Sequence, residues 1–107
     1  MKIAITASGN QPEATLDQRF ARCAWFVIYD DATQSTEFIA NPNLNAVEGA
    51  GPAAVQFLAS LQVQKIVSGE FGAKIKPLLD NLKIQMVVMK QPEMTVAGIL
   101  NLLQNQN

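Results

Sequence analysis

Short apolar runs separated by polar loops predict five β-strands and three helices. The strands are expected at residues 2–6, 25–29, 36–39, 65–68 and 84–89, each ending in glycine, amide, acidic or proline-rich positions. A helical period replaces the alternation at residues 52–61, at residues 74–82 and after Thr95, a candidate N-cap. Residues 105–107 are expected to fray. The predicted core comprises Ile3, Ile5, Phe26, Ile28, Phe38, Leu58, Val67, Leu79, Val87 and Leu100.

The link between the second and third strands predicts their relative direction. Its length suits an antiparallel hairpin and is too short for a parallel crossover. The fourth and fifth strands each follow a helix, and right-handed crossovers are expected wherever strands run parallel. If the second strand alone is antiparallel, its start lies at the same edge of the sheet as the ends of the other four.

That shared edge, which we call the rim, is the candidate site because ligands of open α/β sheets bind in the loops at strand ends. Residues 8–22 are also expected to be mobile without ligand, since few apolar side chains precede Leu16. The residues expected to converge on the rim are Ser8, Gly9, Asn10, Arg19, Arg22, Cys23, Asn41, Asn43, Gly49, Gly51, Gly69, Gly72 and Gln91.

Composition narrows the possible partners and location. A chain of 107 residues, 49% of them hydrophobic, suits one domain over residues 1–107. The net charge is −1 and the basic residues form no run, so nucleic acid is not expected as a partner. No apolar run approaches the roughly 20 residues needed to cross a bilayer, and no signal-peptide pattern opens the chain. We expect a cytoplasmic protein without a membrane partner.

Catalysis has little support in the sequence. The chain has no histidine to act as a base, and Ser8 has no evident partner to activate it. The first strand also lacks the central carboxylate that two-metal nuclease chemistry needs. Residues 49–54 formally satisfy G-x-G-x-x-A, but they lie in a long loop rather than a tight strand-to-helix turn. We expect neither nicotinamide binding nor an enzyme.

Several segments, taken in order, resemble the dinitrogenase iron-molybdenum cofactor biosynthesis family, which includes NifX, the NafY core and the C-terminal domain of NifB. They are MKIAI at 1–5, LDQRFARC at 16–23, FVIYD at 26–30, GAGPAA at 49–54 and MTV at 94–96. The resemblance implies a ribonuclease H-like, three-layer α/β/α domain whose five-stranded mixed sheet has the order 3-2-1-4-5 with strand 2 antiparallel. It also implies a small non-catalytic carrier or accessory protein for a metal-sulfur cofactor or its precursor, either iron-molybdenum-cofactor-like or another anionic Mo/Fe/Cu-sulfur cluster. Cofactor-biosynthesis or acceptor proteins would be its partners.

Together, the resemblance and the topology place the cofactor at the rim. Nitrogenase-linked members often carry histidine at the position of Arg19 and glycine at that of Ala21. This chain has no histidine and one cysteine, so covalent ligation of a cluster by several side chains is excluded. Two modes stay open: ligation by Cys23, or a noncovalent cradle of Arg19, Arg22 and backbone N–H groups. The expected cofactor-binding residues are Ser8, Gly9, Asn10, Arg19, Arg22, Cys23, Gly49, Gly51, Gly69 and Gly72, with Cys23 as the candidate metal ligand.

The same residues also have ordinary structural interpretations. Cys23 at the start of a strand is typical of a buried apolar side chain, and Phe20 of a plug against the core. Arg19 and Arg22 could pair with Asp17 or Glu13. The glycines could let the backbone approach a neighbouring loop. The alternative function is therefore a protein-interaction or small-anion-sensing domain that has lost metal binding.

Overall fold

A computed structural model describes residues 1–105, which contain five strands and three helices. Residues 106 and 107, which we expected to fray, lie outside this described part. Within it, Asn105 ends the last helix by donating its backbone N–H to the Asn101 carbonyl at 3.2 Å. The elements are β1 (Lys2–Ala7), β2 (Trp25–Asp30), β3 (Ser35–Ala40), α1 (Ala50–Ser60), β4 (Val63–Ser68), α2 (Ile75–Asn81), β5 (Gln85–Val88) and α3 (Val96–Gln104).

The strands form one mixed sheet with the order β3-β2-β1-β4-β5. Strand β2 is antiparallel to both of its neighbours, whereas β1 pairs with β4, and β4 with β5, in parallel. The predicted order and directions are confirmed. Ala7 at the end of β1 lies opposite Trp25 at the start of β2, and Trp25 lies opposite Ala40 at the end of β3. The rim is therefore a real edge of the sheet, completed by Ser68 and its partner Val88.

Alternation along the strands separates two hydrophobic clusters, one on each face of the sheet. Phe26 and Ile66 point to the face covered by α1 and α2, where Leu58 and Leu79 are fully buried. Ile5, Val27 and Val67 belong to the opposite cluster, which is covered by Val96 and Ile99 of α3. The sheet is thus the middle of three layers.

Every predicted core residue lies in one of the two clusters, but three are only partly buried. Phe38 lies on β3 and Val87 on β5, and these are the two edge strands of the sheet. Leu100 of α3 is only partly buried, whereas the side chain of its neighbour Ile99 is 1% exposed. The apolar stripe on α3 is confirmed, but its deepest residues are Val96 and Ile99.

Local signals explain where the helices begin. The Thr95 side chain accepts a hydrogen bond from the Gly98 N–H at 3.0 Å, which confirms it as the N-cap of α3. Helix α1 begins two residues before Pro52, so the proline still lies in the first turn, where its missing N–H costs nothing. Strand β4 begins earlier than expected, because Val63 pairs with Lys2 beyond a register shift.

We predict that Ile99→Ala lowers the free energy of unfolding by about 2–5 kcal/mol, because the substitution leaves a cavity in a closed cluster. Leu102 of the same helix is 50% exposed, so Leu102→Ala should cost less than about 0.5 kcal/mol. Urea denaturation of the two variants measures the difference. Equal destabilisation of both would contradict the three-layer packing.

Candidate functional site

Residues 8–23, which we call the crossing segment, run across the rim from one face of the sheet to the other. Leu16 is buried in the cluster beneath α3. Phe20 and Cys23 are buried in the opposite cluster, beneath α1 and α2. Phe20 packs against Phe71 with the ring centroids 5.4 Å apart, which confirms its interpretation as a plug. The segment is therefore pinned by apolar side chains in both cores.

Backbone hydrogen bonds hold the crossing segment in place between these buried side chains. The N–H groups of Leu16, Asp17 and Phe20 donate to the carbonyls of Met94, Thr6 and Glu70, at 2.8, 2.9 and 3.0 Å. In contrast, within the described chain no amide of residues 9–13 donates a hydrogen bond to protein. We therefore restrict the expected mobility to residues 9–13.

The crossing segment fills the point between β1 and β4 where α/β sheets usually bind ligands. A Cβ on Gly69 would lie 2.8 Å from the Cα of Gln18 and nearer still to its side-chain amide. Gly69 therefore makes room for the segment itself. Beneath it, the Thr6 hydroxyl contacts the Asp17 carbonyl at 2.7 Å and the Ser68 hydroxyl at 2.9 Å. This buried polar pair holds the two strand ends and the segment together.

Arg19 is the exposed cation of the crossing segment. Its guanidinium faces the Asp17 carboxylate, with Nε and Nη2 at 3.4 and 3.5 Å from Oδ1 and Oδ2. The Arg19 side chain is 67% exposed and that of Asp17 only 10%. The pairing with Asp17 is confirmed, but long contacts at an exposed arginine contribute only about 0 to 1 kcal/mol. The guanidinium can therefore exchange its partner at little cost.

Arg22 makes different contacts from the expected ion pairs. It is half-buried, and its Nη1 donates to the carbonyl oxygens of Leu44 and Ala46 instead of pairing with Asp17 or Glu13. The guanidinium thus holds the loop that follows β3.

Asn41 was placed at the rim without a function, and it is the second anchor of this loop. Its buried Nδ2 donates to the carbonyls of Ala21 and Cys23, at 3.0 and 2.9 Å. Its Oδ1 accepts the N–H of Asn43 at 3.0 Å. The sequence signal was an Asn-Pro pair directly after a strand, which is typical of a turn whose amide bonds to nearby backbone.

Cys23 is fully buried, as its ordinary structural interpretation predicts. Its thiol donates to the Phe20 carbonyl at 3.3 Å. Burial, assisted by the Asp17 carboxylate, raises the pKa of the Cys23 thiol from 9.0 to about 12. A metal ligand has to be an accessible thiolate, whereas this sulfur is an enclosed thiol. Direct ligation by Cys23 would require the sulfur to be exposed and deprotonated. Residues 1–105 also contain no cluster of three or more His, Cys, Asp or Glu that could hold a metal ion.

The remaining predicted residues do not all face one site. The Ser8 hydroxyl contacts that of Thr15 at 3.1 Å, and this closes the turn that contains Gly9 and Asn10. Gly51 lies inside α1, where an added Cβ would be 2.6 Å from Cδ1 of Ile75 in α2, so it serves helix packing. Gly49, Asn43, Gly72 and Gln91 lie in loops, and the carbonyls of Gly49, Gly72 and Gln91 accept backbone N–H groups from Ala53, Ile75 and Met94.

An open cleft of about 460 Å³ lies at the rim, beside the crossing segment and at the ends of β4 and β5. Arg19 lies next to it because its backbone forms a bridge with Glu70. A larger cleft of about 630 Å³ lies at the opposite edge of the sheet, between Lys2, Gln62 and Ile84, away from the strand ends that bind ligands in this architecture. The residues lining the rim cleft are 69–73, Lys76, Met86, Val88 and Lys90.

Comparison with known proteins identifies the family. A sequence model of the family described as Dinitrogenase iron-molybdenum cofactor matches residues 1–106. The chain belongs to this family. The apo orange protein from Desulfovibrio gigas is 30% identical, with a TM-score of 0.86 over 95% of this chain and 85% of that one. A putative NifB protein from Thermotoga, of the DUF35 family, is 24% identical and shares the fold, with a TM-score of 0.80 over the same shares of the two chains. No curated protein matches.

Membership in the Dinitrogenase iron-molybdenum cofactor family associates the chain with small accessory or carrier proteins for a cofactor, which are generally not catalysts. No helix within residues 1–105 is long and apolar enough to cross a membrane.

We predict that the stability contributed by Cys23 depends on pH. Between about pH 9 and 12 the unfolded chain loses the thiol proton and the folded chain keeps it, so the free energy of unfolding should fall as pH rises. The limiting slope is about 1.4 kcal/mol per pH unit. The Cys23→Ser variant lacks the titrating thiol and keeps every other ionisable group of the protein. The stability difference between wild type and variant should shrink above pH 9, and a difference that stays constant up to pH 11 would contradict the buried thiol.

We predict fast amide hydrogen exchange at residues 9–11 and 13, and slow exchange at Leu16, Asp17 and Phe20, in the ligand-free protein. The first group donates no hydrogen bond to protein, whereas the second donates to Met94, Thr6 and Glu70. NMR-detected exchange resolves the two groups. Equally fast exchange at all these amides would show that the crossing segment opens as a whole.

Proposed function

We propose that this member of the Dinitrogenase iron-molybdenum cofactor family carries an anionic metal-sulfur cofactor, or a precursor of one, at its rim. The cargo is held noncovalently and no reaction is catalysed. The observation that carries the proposal is the combination, at one edge of the sheet, of an exposed arginine and an open cleft in a chain of this family. The similarity to the orange protein from Desulfovibrio gigas, whose structure is that of an apo form, also supports a protein that binds a cofactor.

Noncovalent attachment follows from the position of the only sulfur nucleophile. To reach a metal-sulfur cofactor, the Cys23 thiol would have to leave the hydrophobic core beneath α1 and α2. It would also lose its hydrogen bond to the Phe20 carbonyl. Deprotonating it in place is also unfavourable, because burial raises its pKa to about 12. Charge is therefore the available source of affinity for an anionic cluster.

Arg19 is suited to supply that charge. When its guanidinium turns from Asp17 to the cargo, Asp17 keeps a hydrogen bond from the Arg19 backbone N–H at 3.0 Å. The carboxylate is thus not left without a partner, which limits the cost of the exchange. A carrier also has to release its cargo, and an exposed ion pair releases an anion more readily than a covalent metal–sulfur bond does.

The same proposal specifies the setting. We place the protein in the cytoplasm as one domain, with the metal-sulfur cluster as its ligand and cofactor-biosynthesis or acceptor proteins as its partners. An anionic cluster that is bound at an exposed rim is accessible to a second protein, which transfer requires.

Titration of the purified protein with tetrathiomolybdate, followed by visible absorption and equilibrium dialysis, tests the proposal. Wild type should bind, and affinity should fall with added salt because exposed charges are screened over about 8 to 10 Å. Arg19→Gln should weaken binding about tenfold, which corresponds to one charge-assisted contact. Lys2→Gln, at the opposite edge of the sheet, removes the same charge and should have no effect.

Cys23→Ser separates the two modes of attachment in the same assay. Near-normal loading is expected, because a hydroxyl can replace the thiol as the donor to Phe20. Loss of binding in Cys23→Ser but not in Arg19→Gln would instead indicate thiolate ligation. Wild-type protein that binds no metal-sulfur anion would favour the protein-interaction or anion-sensing alternative.

A further inference from the structure

We infer that the cargo binds in the cleft at the ends of β4 and β5, and that this cleft selects sulfur-rich anions over oxyanions of the same charge. The inference rests on the proposed function and adds the location and the chemical selectivity of the site. It assigns binding to Phe71, Met86, Val88 and Lys90, which were not among the expected cofactor-binding residues.

The other side of the rim is already occupied by internal contacts. The Arg22 guanidinium donates to the Leu44 and Ala46 carbonyls, and Cys23 is fully buried. Between the two sides, Gln18 is packed against Gly69 and fills the gap between β1 and β4. Of the expected cofactor-binding positions, Arg19, Gly69 and Gly72 adjoin the open cleft.

The cleft combines apolar walls with cationic edges. Phe71, Met86 and Val88 supply the apolar surface, and Val88 is 51% exposed although it lies in a strand. Lys90 has no ion-pair partner in the part of the chain that the structure describes, and Lys76 forms an exposed pair with Asp80 at 2.8 Å.

One carboxylate, that of Glu70, also lines the cleft. The backbone of Glu70 is bridged to that of Arg19, whose exposed guanidinium faces Asp17. Two cations therefore line the cleft beside its apolar surface, Lys76 from α2 and Lys90 from the loop after β5. Arg19 of the crossing segment adjoins the cleft through its backbone bridge to Glu70.

This lining suits one kind of anion better than another. An oxyanion is strongly hydrated, and Phe71, Met86 and Val88 offer no hydrogen bonds in place of the water it would lose. Sulfide ligands are larger, more polarisable and less hydrated, and they make favourable contacts with aromatic rings and apolar side chains. The cations attract both classes, so the apolar walls should decide between them.

Molybdate and tetrathiomolybdate test this selectivity, because they share charge and tetrahedral shape and differ in oxygen against sulfur. Wild type should bind tetrathiomolybdate at least tenfold more tightly than molybdate, as measured by equilibrium dialysis at one ionic strength. Val88→Gln should weaken tetrathiomolybdate binding at least fivefold and leave molybdate unchanged. Lys90→Gln should weaken both anions by similar factors.

Matched controls keep the test specific. Leu102→Gln changes a side chain of nearly equal exposure on α3, and Lys83→Gln removes an exposed charge beyond α2, so neither should alter binding. Thermal unfolding of each variant verifies that the fold is intact.

Two results would overturn the inference: equal wild-type affinity for the two anions, or cleft variants that bind like their controls. If the cleft variants have no effect but Arg19→Gln still weakens binding, the proposed function stands and only the location and selectivity are wrong. If wild type binds neither anion, both proposals fail.

Discussion

The crossing segment is the constraint on which the rest of the site depends. It places Leu16 in one core and Phe20 and Cys23 in the other, so it cannot leave the rim without opening both clusters. Its backbone is bonded to Thr6 of β1 and Glu70 after β4, directly over the gap where an α/β sheet usually receives its ligand. The proposed cargo would therefore bind beside that gap.

The path of the crossing segment also gives Arg19 and Arg22, which are close in sequence, different surroundings. Arg19 lies next to the open cleft and pairs loosely with Asp17, whereas Arg22 is committed to the loop after β3 through two backbone carbonyls. One arginine is available to an anion and the other maintains the structure. The same packing encloses the Cys23 thiol, which is why we propose an electrostatic and apolar site instead of a coordinative one.

The fold was predictable because its signals are local. The hairpin length set the direction of β2 against β3, Thr95 marked the start of α3, and the alternation in β1 and β2 separated the two faces of the sheet. The degree of burial of Phe38 and Leu100 was less predictable. It depends on which strands are at the edge of the sheet and on how a helix is rotated above it, and a single segment does not contain this information.

The site was predictable only in outline. Topology correctly brought the loops to one edge, but Gly69 and Gly51 are glycines because Gln18 and Ile75 pack against them, and these contacts join distant parts of the chain. The role of Arg22 was hidden for the same reason, since its acceptors are backbone carbonyls that carry no sequence signature. Lys90 and Val88 were not singled out because neither belongs to a motif, and only the folded cleft brings them together.

Mapping of amide chemical shifts during titration with tetrathiomolybdate tests the central claim most directly. Binding beside the crossing segment predicts saturable changes in amide chemical shift at Arg19, at residues 69–73 and at residues 86–90. The amide shifts of Cys23 and of residues 41–46 should not change, and the Cys23 thiol should stay free. Shifts concentrated at Cys23 and residues 41–46, with loss of the free thiol, would contradict the account and place the cargo on the thiolate.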